Sequence, residues 1–416
     1  MFQKSLSSIL LYIFALRPVL VMLSLIISFL NFVVPAPPAY GASPNLFISA
    51  PSAVLFDCKS KQVLFAKNAD AVLPFASTTK IMTAIVVLEH AGLQDIVTTS
   101  RSAVAVEGTR IYLASGEQKT VEQLLYAALL NSANDAAFAL AEHVGGGSVD
   151  TFVQMMNNTA KQIGANNTFF CNPTGLDQPG HCSTASDLAT IACYAMKIPA
   201  FKTIVGTKTL PWSGTEHSAT LSNLNRMLWL KSGVTGVKTG FTTQARNCLV
   251  TSLALDDREL ITVILGSESN LWLETSNLLD YGMLEYKNEV LAKPGEILAT
   301  TTARNGRSVP LTIDEPIIIS VPKNCCESSS PEVQISYLPS PSTAAGTQVG
   351  WVHFTISNNT YGPYRLVTAS SIPANPMDLS IIIGLSLALA SSPIVTIAGA
   401  RKARRRRRRR RRKAVN

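Results

Sequence analysis

From residue 45 to about 286 the apolar positions switch between a period of two and a period near 3.6, the marks of strand and helix. "AVLFDCKSKQVLFAKNAD" reads as two strands around a turn at Cys58-Lys59-Ser60-Lys61. "STTKIMTAIVVLEHAG" has apolar residues at helical spacing, with Gly92 as its stop. "TVEQLLYAALLNSANDAAFALAEHVGGG" reads as two helices broken at residues 131–134, and "STASDLATIACYAM" as a further helix capped by Ser183 or Thr184. "CLVTSLAL" and "ELITVILGS" are two strands joined at Asp256-Asp257, and "ETSNLLDYGMLEY" closes the region as a helix. Strands early and late with helices between them predict an antiparallel sheet assembled from both ends, an α+β arrangement.

From about residue 287 to 373 the pattern changes to short β-rich runs: "PLTIDEPIIISVP", "VQISYLP", "VGWVHFTI" and "YRLVTAS". They predict a small, separate β-sandwich-like domain over 287–375, with "PSPSTAAG" as a loop. Two long apolar stretches lie outside both regions. Residues 19–34, preceded by Lys4 and Arg17 and followed by "PAPPAYGAS", read as an export signal over 1–41 with cleavage near Ala39-Tyr40-Gly41. A retained N-terminal anchor is the alternative. Residues 379–400 carry no charge and are long enough to span a bilayer, with Pro393 as a tolerated kink, which sets a transmembrane anchor at 376–400. The basic tail at 401–416 then lies inside and residues 42–375 outside.

The formal charge of +9 changes meaning once that tail is set aside. It holds 12 of the 36 Lys and Arg residues, so the remainder carries 24 basic against 27 acidic side chains. A basic DNA-binding domain is excluded; the arginine run reads as a positive-inside anchor with anionic lipid as a further partner. Of the seven cysteines, Cys171 and Cys182 flank the turn-rich "NPTGLDQPGH" and read as a bridge, while Cys248 in an apolar run reads as a core thiol. With no CxxC pair, no HExxH and five histidines, no metal site is expected.

Three short motifs could carry chemistry. Ser77 and Lys80 stand three apart at a helix start, on one face, where the helix dipole favours an alkoxide and disfavours a protonated lysine. The bland alternative is a capping serine and a solvated lysine, and Ser320-Val-Pro-Lys323 shows how common the pattern is. Ser132-Ala133-Asn134 sits at the helix break, where a hydroxyl can relay a proton and an amide can hold a substrate backbone, or where both merely cap. Ser43-Pro-Asn45 and Ser357-Asn-Asn359 share that pattern. Lys-hydroxyl-Gly occurs twice, as Lys231-Ser232-Gly233 and Lys238-Thr239-Gly240. The first, followed by Thr235-Gly236, reads as a turn; the second enters a strand, where glycine admits a ligand to the backbone.

The order and spacing of these motifs, with "FASTTKIMTA", "LLNSANDAAFALAEHVGG", "NPTGLDQPGHCSTASDLA" and "GVTGVKTGFT", resemble the serine D-alanyl-D-alanine carboxypeptidases, the low-molecular-mass penicillin-binding proteins. The resemblance covers 45–286 and implies a penicillin-binding/serine β-lactamase-like catalytic domain over 42–286. It implies Ser77 as nucleophile on the D-Ala-D-Ala carbonyl of a peptidoglycan stem peptide and Lys80 as base. Ser132 would pass the proton to the leaving D-alanine, and Asn134 would hold Lys80 and the substrate amide. Lys238 and Thr239 would take the terminal carboxylate. Gly240 would admit the ligand, and the N–H groups of Ser77 and Phe241 would form the oxyanion hole. β-Lactams would acylate Ser77, and no cofactor is implied. Phe241 stands where relatives often carry His or Tyr, and Ala133 and Arg246 also depart from the commonest forms. Arg246 reads as a solvated hairpin residue. Three alternatives remain: a wall-binding protein with a decayed site; a β-lactamase, for which only Glu142 and Glu216 lie between Asn134 and Lys231; and a nucleic-acid or lipid binder with the tail as its working part.

Overall fold

The computed structural model describes residues 46–215, 218–325, 330–357 and 359–373. The expected signal at 1–41, the expected anchor at 376–400 and the arginine-rich tail at 401–416 lie outside these residues. Among the described residues no single helix is long and apolar enough to cross a membrane.

Strands β1 (Ser52–Asp57) and β2 (Gln62–Lys67) come first. β3 (Ile96–Thr98) pairs with β4 (Gln118–Thr120), and β5 (Thr209–Ser213) with β6 (Ser218–Ser222), as small ladders among the helices. β7 (Val234–Thr242), β8 (Arg246–Leu255) and β9 (Arg258–Ser267) come last. The main sheet runs β2-β1-β9-β8-β7, every neighbour antiparallel. The first strands thus lie beside the last, as the early and late period-two segments predicted. Asp256 and Asp257 close the β8–β9 hairpin with both φ angles positive, 49° and 62°, the twist a two-residue hairpin turn requires.

Alternation along these strands separates two cores. Val54, Val250 and Val263 face the helices Lys80–His90, Val121–Leu130, Asn134–Val144 and Ala185–Ala195. Leu55, Leu249 and Ile264 face the opposite way, toward the helix Leu271–Glu285. A sheet covered on both faces gives each strand two apolar sides, and truncating Leu55, Leu249 or Ile264 to Ala would cost about 2–5 kcal/mol. The helix Val149–Gln162 was not legible because its buried face is narrow: Phe152, Met156, Thr159 and Ala160 within a polar sequence.

The chain divides into two compact units. One runs to Lys287 and includes Ser320–Asn324; the other holds Asn288–Ile319 and the chain from Cys325 onward. β10 (Tyr286–Ala292) pairs with β13 (Ile317–Pro322). β11 (Ala299–Thr302), β12 (Ser308–Thr312), β14 (Pro331–Ile335), β15 (Gln348–Ile356) and β16 (Asn359–Thr368) form one sheet in the order β11-β12-β16-β15-β14. Leu311, Val352, Phe354 and Leu366 fill that unit's own core.

The cysteine pairing differs from the expectation. Cys58, in the β1–β2 turn, is bonded to Cys193 on the helix Ala185–Ala195, 135 residues away, with Cα atoms 5.6 Å apart. Cys171 and Cys182 are free thiols. Phe169 is the residue opposite Cys182, so the same register sets Cys171 opposite Gly180, diagonal to Cys182; its Sγ donates to Pro179 O at 3.5 Å. Flanking a turn was not enough to place the two sulfurs face to face. Cys248 is a fully buried core thiol, pushed up to about 12 by burial. We expect Cys58→Ser to lower stability by about 2–5 kcal/mol in a denaturant titration, because the bridge closes a long loop. A thiol reagent should label Cys171 and Cys182 without prior reduction, but not Cys58 or Cys193.

Candidate active site

Ser77 lies on a single 3-10 turn, Ala76–Thr79, that runs directly into the helix Lys80–His90. It caps nothing: neither helix start has a side-chain cap bond. The turn is entered through Ala76 in the left-handed region, φ 48°, a conformation that costs a non-glycine residue about 1–2 kcal/mol. Two glycines fit against this backbone. A Cβ on Gly240 would come within 3.0 Å of Ser77 N and 3.1 Å of Phe75 O. At Gly175, where φ is +85°, a Cβ would strike Ala76 O at 2.1 Å. The bare face of Gly240 thus receives the turn that carries Ser77.

Lys80 is fully buried, and its Nζ lies 3.0 Å from Ser77 Oγ, 2.7 Å from Asn134 Oδ1 and 2.6 Å from Thr174 O. Burial holds its pKa well below the ordinary lysine range; the Lys238 charge lowers it further, and Asp135 opposes both. The net direction is down, so desolvation and like charge outweigh the buried carboxylate. A neutral amine has two N–H groups and one lone pair. Asn134 Oδ1 and Thr174 O can only accept, so they take the two hydrogens. The lone pair is left facing Ser77, the one neighbour of the three with a proton to give.

Asn134 opens the helix Asn134–Val144, and Ala133 stands at its N-cap position without a side-chain bond. The Asn134 amide is turned to the site: Oδ1 accepts from Lys80, and Nδ2 donates to Glu107 O at 2.6 Å. Gly108 leaves room for it, since a Cβ there would meet Asn134 Nδ2 at 2.7 Å. Ser132, in the break before this helix, is held left-handed at φ 61° and is nearly buried. No hydrogen bond joins its hydroxyl to Ser77 or Lys80.

β7 is an edge strand of the main sheet and packs along the Ala76–Thr79 turn. Lys238 on it is 1% exposed, donates to Thr239 O at 2.9 Å, and is lowered to about 7 by burial. Thr239 is half-buried, and Phe241, next to Gly240, is 64% exposed. Lys231 is placed differently. Its Nζ lies 2.6 Å from Asp280 and 3.2 Å from Ser276, both on the helix Leu271–Glu285. Arg246 is largely exposed and 4.0 Å from Glu268 at the β7–β8 turn.

The D-alanyl-D-alanine carboxypeptidase family profile matches residues 39–269, more than half of the chain. The chain belongs to this family. It is 35% identical over 286 residues to the D-alanyl-D-alanine carboxypeptidase DacF of Bacillus subtilis, covering 66% of this chain and 73% of that one. It is 31% identical over 348 residues to DacA of Escherichia coli, covering 78% and 84%. Among solved structures, penicillin binding protein 5 from Haemophilus influenzae aligns with a TM-score of 0.74 at 28% identity, covering 80% of this chain and all of that one. The mixed fold of antiparallel sheet and helices is that of these carboxypeptidases.

Two contributors escaped the sequence reading of this family member. Thr174 O and Glu107 O are backbone carbonyls, which leave no side-chain signature. Thr174 lies in "NPTG", where Asn172 Oδ1 accepts from the N–H groups of Thr174 at 3.2 Å and Gly175 at 2.8 Å. That Asx turn was the available signal. An amine can take up the Ser77 proton only when neutral, so if Lys80 is the base the reactivity of Ser77 should rise as pH passes upward through the lowered Lys80 pKa. Lys238→Gln removes a charge that lowers it, so Lys80 loses its proton at higher pH. Labelling of Ser77 by an electrophilic serine probe should then need a higher pH, with a neutral-pH rate roughly tenfold slower for each unit of movement. An unmoved profile would show that Lys238 does not tune the base.

Proposed function

We propose that the protein is a serine-type D-alanyl-D-alanine carboxypeptidase that hydrolyses the terminal D-Ala-D-Ala bond of peptidoglycan stem peptides through an acyl-enzyme on Ser77. The observation that carries this reading is the Lys80 amine, buried, held low in pKa and bounded so that its free lone pair faces Ser77. Lys80 takes the hydroxyl proton as Ser77 Oγ attacks the carbonyl carbon. The tetrahedral oxyanion is received by the N–H groups of Ser77 and Phe241. Ser77 N–H belongs to the first turn of its 3-10 helix, where backbone donors have no intrahelical partner.

Ser132 carries the proton to the departing D-alanine nitrogen, the C–N bond breaks, and the acyl group remains on Ser77. Asn134 holds Lys80 and the substrate amide, while Lys238 and Thr239 receive the terminal carboxylate. Water then cleaves the ester and restores the serine. Side chains and water move every proton, so the scheme calls for no cofactor. A β-lactam presents a strained version of the same amide and acylates Ser77. Glu142, a carboxylate that a β-lactamase reading could enlist, instead accepts from Ser100 Oγ at 2.6 Å.

The site belongs outside the cytoplasmic membrane of a bacterial envelope, held there by residues 376–400 with 401–416 inside. Two results are expected from the full chain in detergent. D-Alanine release from a peptide ending in D-Ala-D-Ala should vanish in Ser77→Ala. It should survive in Lys231→Ala, whose partly exposed ion pair with Asp280 is worth about 0–1 kcal/mol of stability. A folded wild type that releases no D-alanine would move the reading to a wall-binding protein. Deleting 401–416 should leave hydrolysis of a soluble peptide unchanged, and its loss would make the tail a working part.

A further inference from the structure

His181 falls within the string "NPTGLDQPGHCSTASDLA" but has no role in the scheme above, yet it is 6% exposed and bonded through both ring nitrogens. The partners fix its form. Cys171 N–H, which can only donate, lies 3.0 Å from Nδ1, so Nδ1 is bare. Thr79 Oγ1 lies 2.7 Å from Ala76 O, which can only accept, so the single hydroxyl proton goes there. Oγ1 must then accept from His181 Nε2–H at 2.8 Å. The only consistent assignment is one directed chain: Cys171 N–H to Nδ1, Nε2–H to Thr79 Oγ1, and Thr79 O–H to Ala76 O. Burial lowers the imidazole to about 4, with Asp177 opposing and Lys80 assisting, so the ring is neutral in neutral solution.

The ring is also fixed in place. It stacks on Phe75 with centroids 4.6 Å apart and planes 6° from parallel, and Phe170 meets its edge at 6.1 Å. The chain ends on the carbonyl of Ala76, the left-handed residue directly before the nucleophile. Ala76 C=O and Ser77 N–H belong to one trans peptide plane and point in opposite directions. Fixing the carbonyl therefore fixes the N–H. Gly175 closes the carbonyl side, and Gly240 lies beside Ser77 N.

We propose that His181 is a positioning residue which, through the Thr79 hydroxyl, locks the Ala76–Ser77 peptide plane so that Ser77 N–H is aimed at the developing oxyanion. This rests on the carboxypeptidase reading and adds a device to it. His181 makes no hydrogen bond to Ser77 or Lys80, so it acts on the direction of a donor and leaves the base alone. An oxyanion donor works in the transition state, so its misalignment lowers kcat and leaves KM nearly unchanged. Deleting one such donor outright costs about 100–1,000-fold. Loosening its peptide plane should cost about 10–100-fold.

The test uses the full chain in detergent with wild type, Thr79→Val, Thr79→Ser, His181→Leu and the Thr79→Val/His181→Leu double variant. D-Alanine release gives kcat and KM, and a fluorescent penicillin gives the acylation rate. Thr79→Val keeps the branched shape and removes the hydroxyl. It should lower kcat and acylation about 10–100-fold with KM within about twofold, while Thr79→Ser restores most of the rate. The double variant should be no slower than the slower single variant, because both break one chain. Equal rates in wild type and a folded Thr79→Val, a loss confined to KM, or multiplying losses in the double variant would each overturn the proposal. Should His181→Leu fail to fold, the Thr79→Val and Thr79→Ser pair decides alone. An inactive, folded wild type would overturn the carboxypeptidase reading and this proposal with it, whereas an active wild type beside an equally active Thr79→Val overturns the positioning role only.

Discussion

The three contacts of the Lys80 amine are the constraint around which the site is arranged. A buried ammonium would be costly, and the surroundings do not offer it an adjacent carboxylate. They offer an amide oxygen, a backbone carbonyl and a hydroxyl, at 2.7, 2.6 and 3.0 Å. Asp135 is fully buried, but its oxygens accept from the backbone N–H groups of Ile111, Leu113 and Ala136. Its field opposes the lowering of Lys80 without providing a direct partner. Burial and like charge weaken the hold of such a lysine on its proton, and the Ser77 hydroxyl lies within reach of its nitrogen.

Each contact is delivered by a different part of the chain, which explains why the fold is needed to assemble them. Ser77 comes on the 3-10 turn, Asn134 on the first residue of a helix and Thr174 O from an Asx turn, while the Lys238 charge that also acts on the amine comes from the edge of the sheet. Gly240 and Gly175 let two of those parts approach the Ser77 backbone closely enough to meet. Placing β7 beside that turn requires β9 to pair with β1 and β8 with β9, so strands from the two ends of the unit must join before the site exists. That ordering links a long-range β-sheet to the position of one amide plane.

Much of this was legible in the sequence, for identifiable reasons. Strand-length apolar runs gave the strands of the main sheet, because both faces of that sheet are buried and each strand is apolar on both sides. The Ser-x-x-Lys and Ser-x-Asn motifs were legible by spacing and by the helix break, and the structure joins Ser77, Lys80 and Asn134 by hydrogen bonds. Lys238 was separated from Lys231 by its strand context; Lys231 instead ends on Asp280. What was hidden has no side-chain signature or no local spacing. Thr174 contributes a carbonyl, and Cys58–Cys193 joins residues 135 apart where only proximity in sequence had suggested a bridge. His181 was passed over as one histidine among turn residues, since its bonding partners are known only from the fold.

Lys238 carries the electrostatic logic one step further. Its ammonium is as buried as that of Lys80, and among the described residues its one hydrogen bond is to Thr239 O, a neutral acceptor. One neutral carbonyl cannot offset the lost hydration of a full charge, which is why burial alone brings it to about 7. On the carboxypeptidase reading, the anion that can offset it is the terminal carboxylate of the peptide being cut. Binding that carboxylate favours the charged form of Lys238, and a charged Lys238 favours the neutral form of Lys80. On that reading, the group that identifies the correct end of the substrate also keeps Lys80 in the neutral form that can accept a proton, and a peptide without a free carboxyl end would lack both effects.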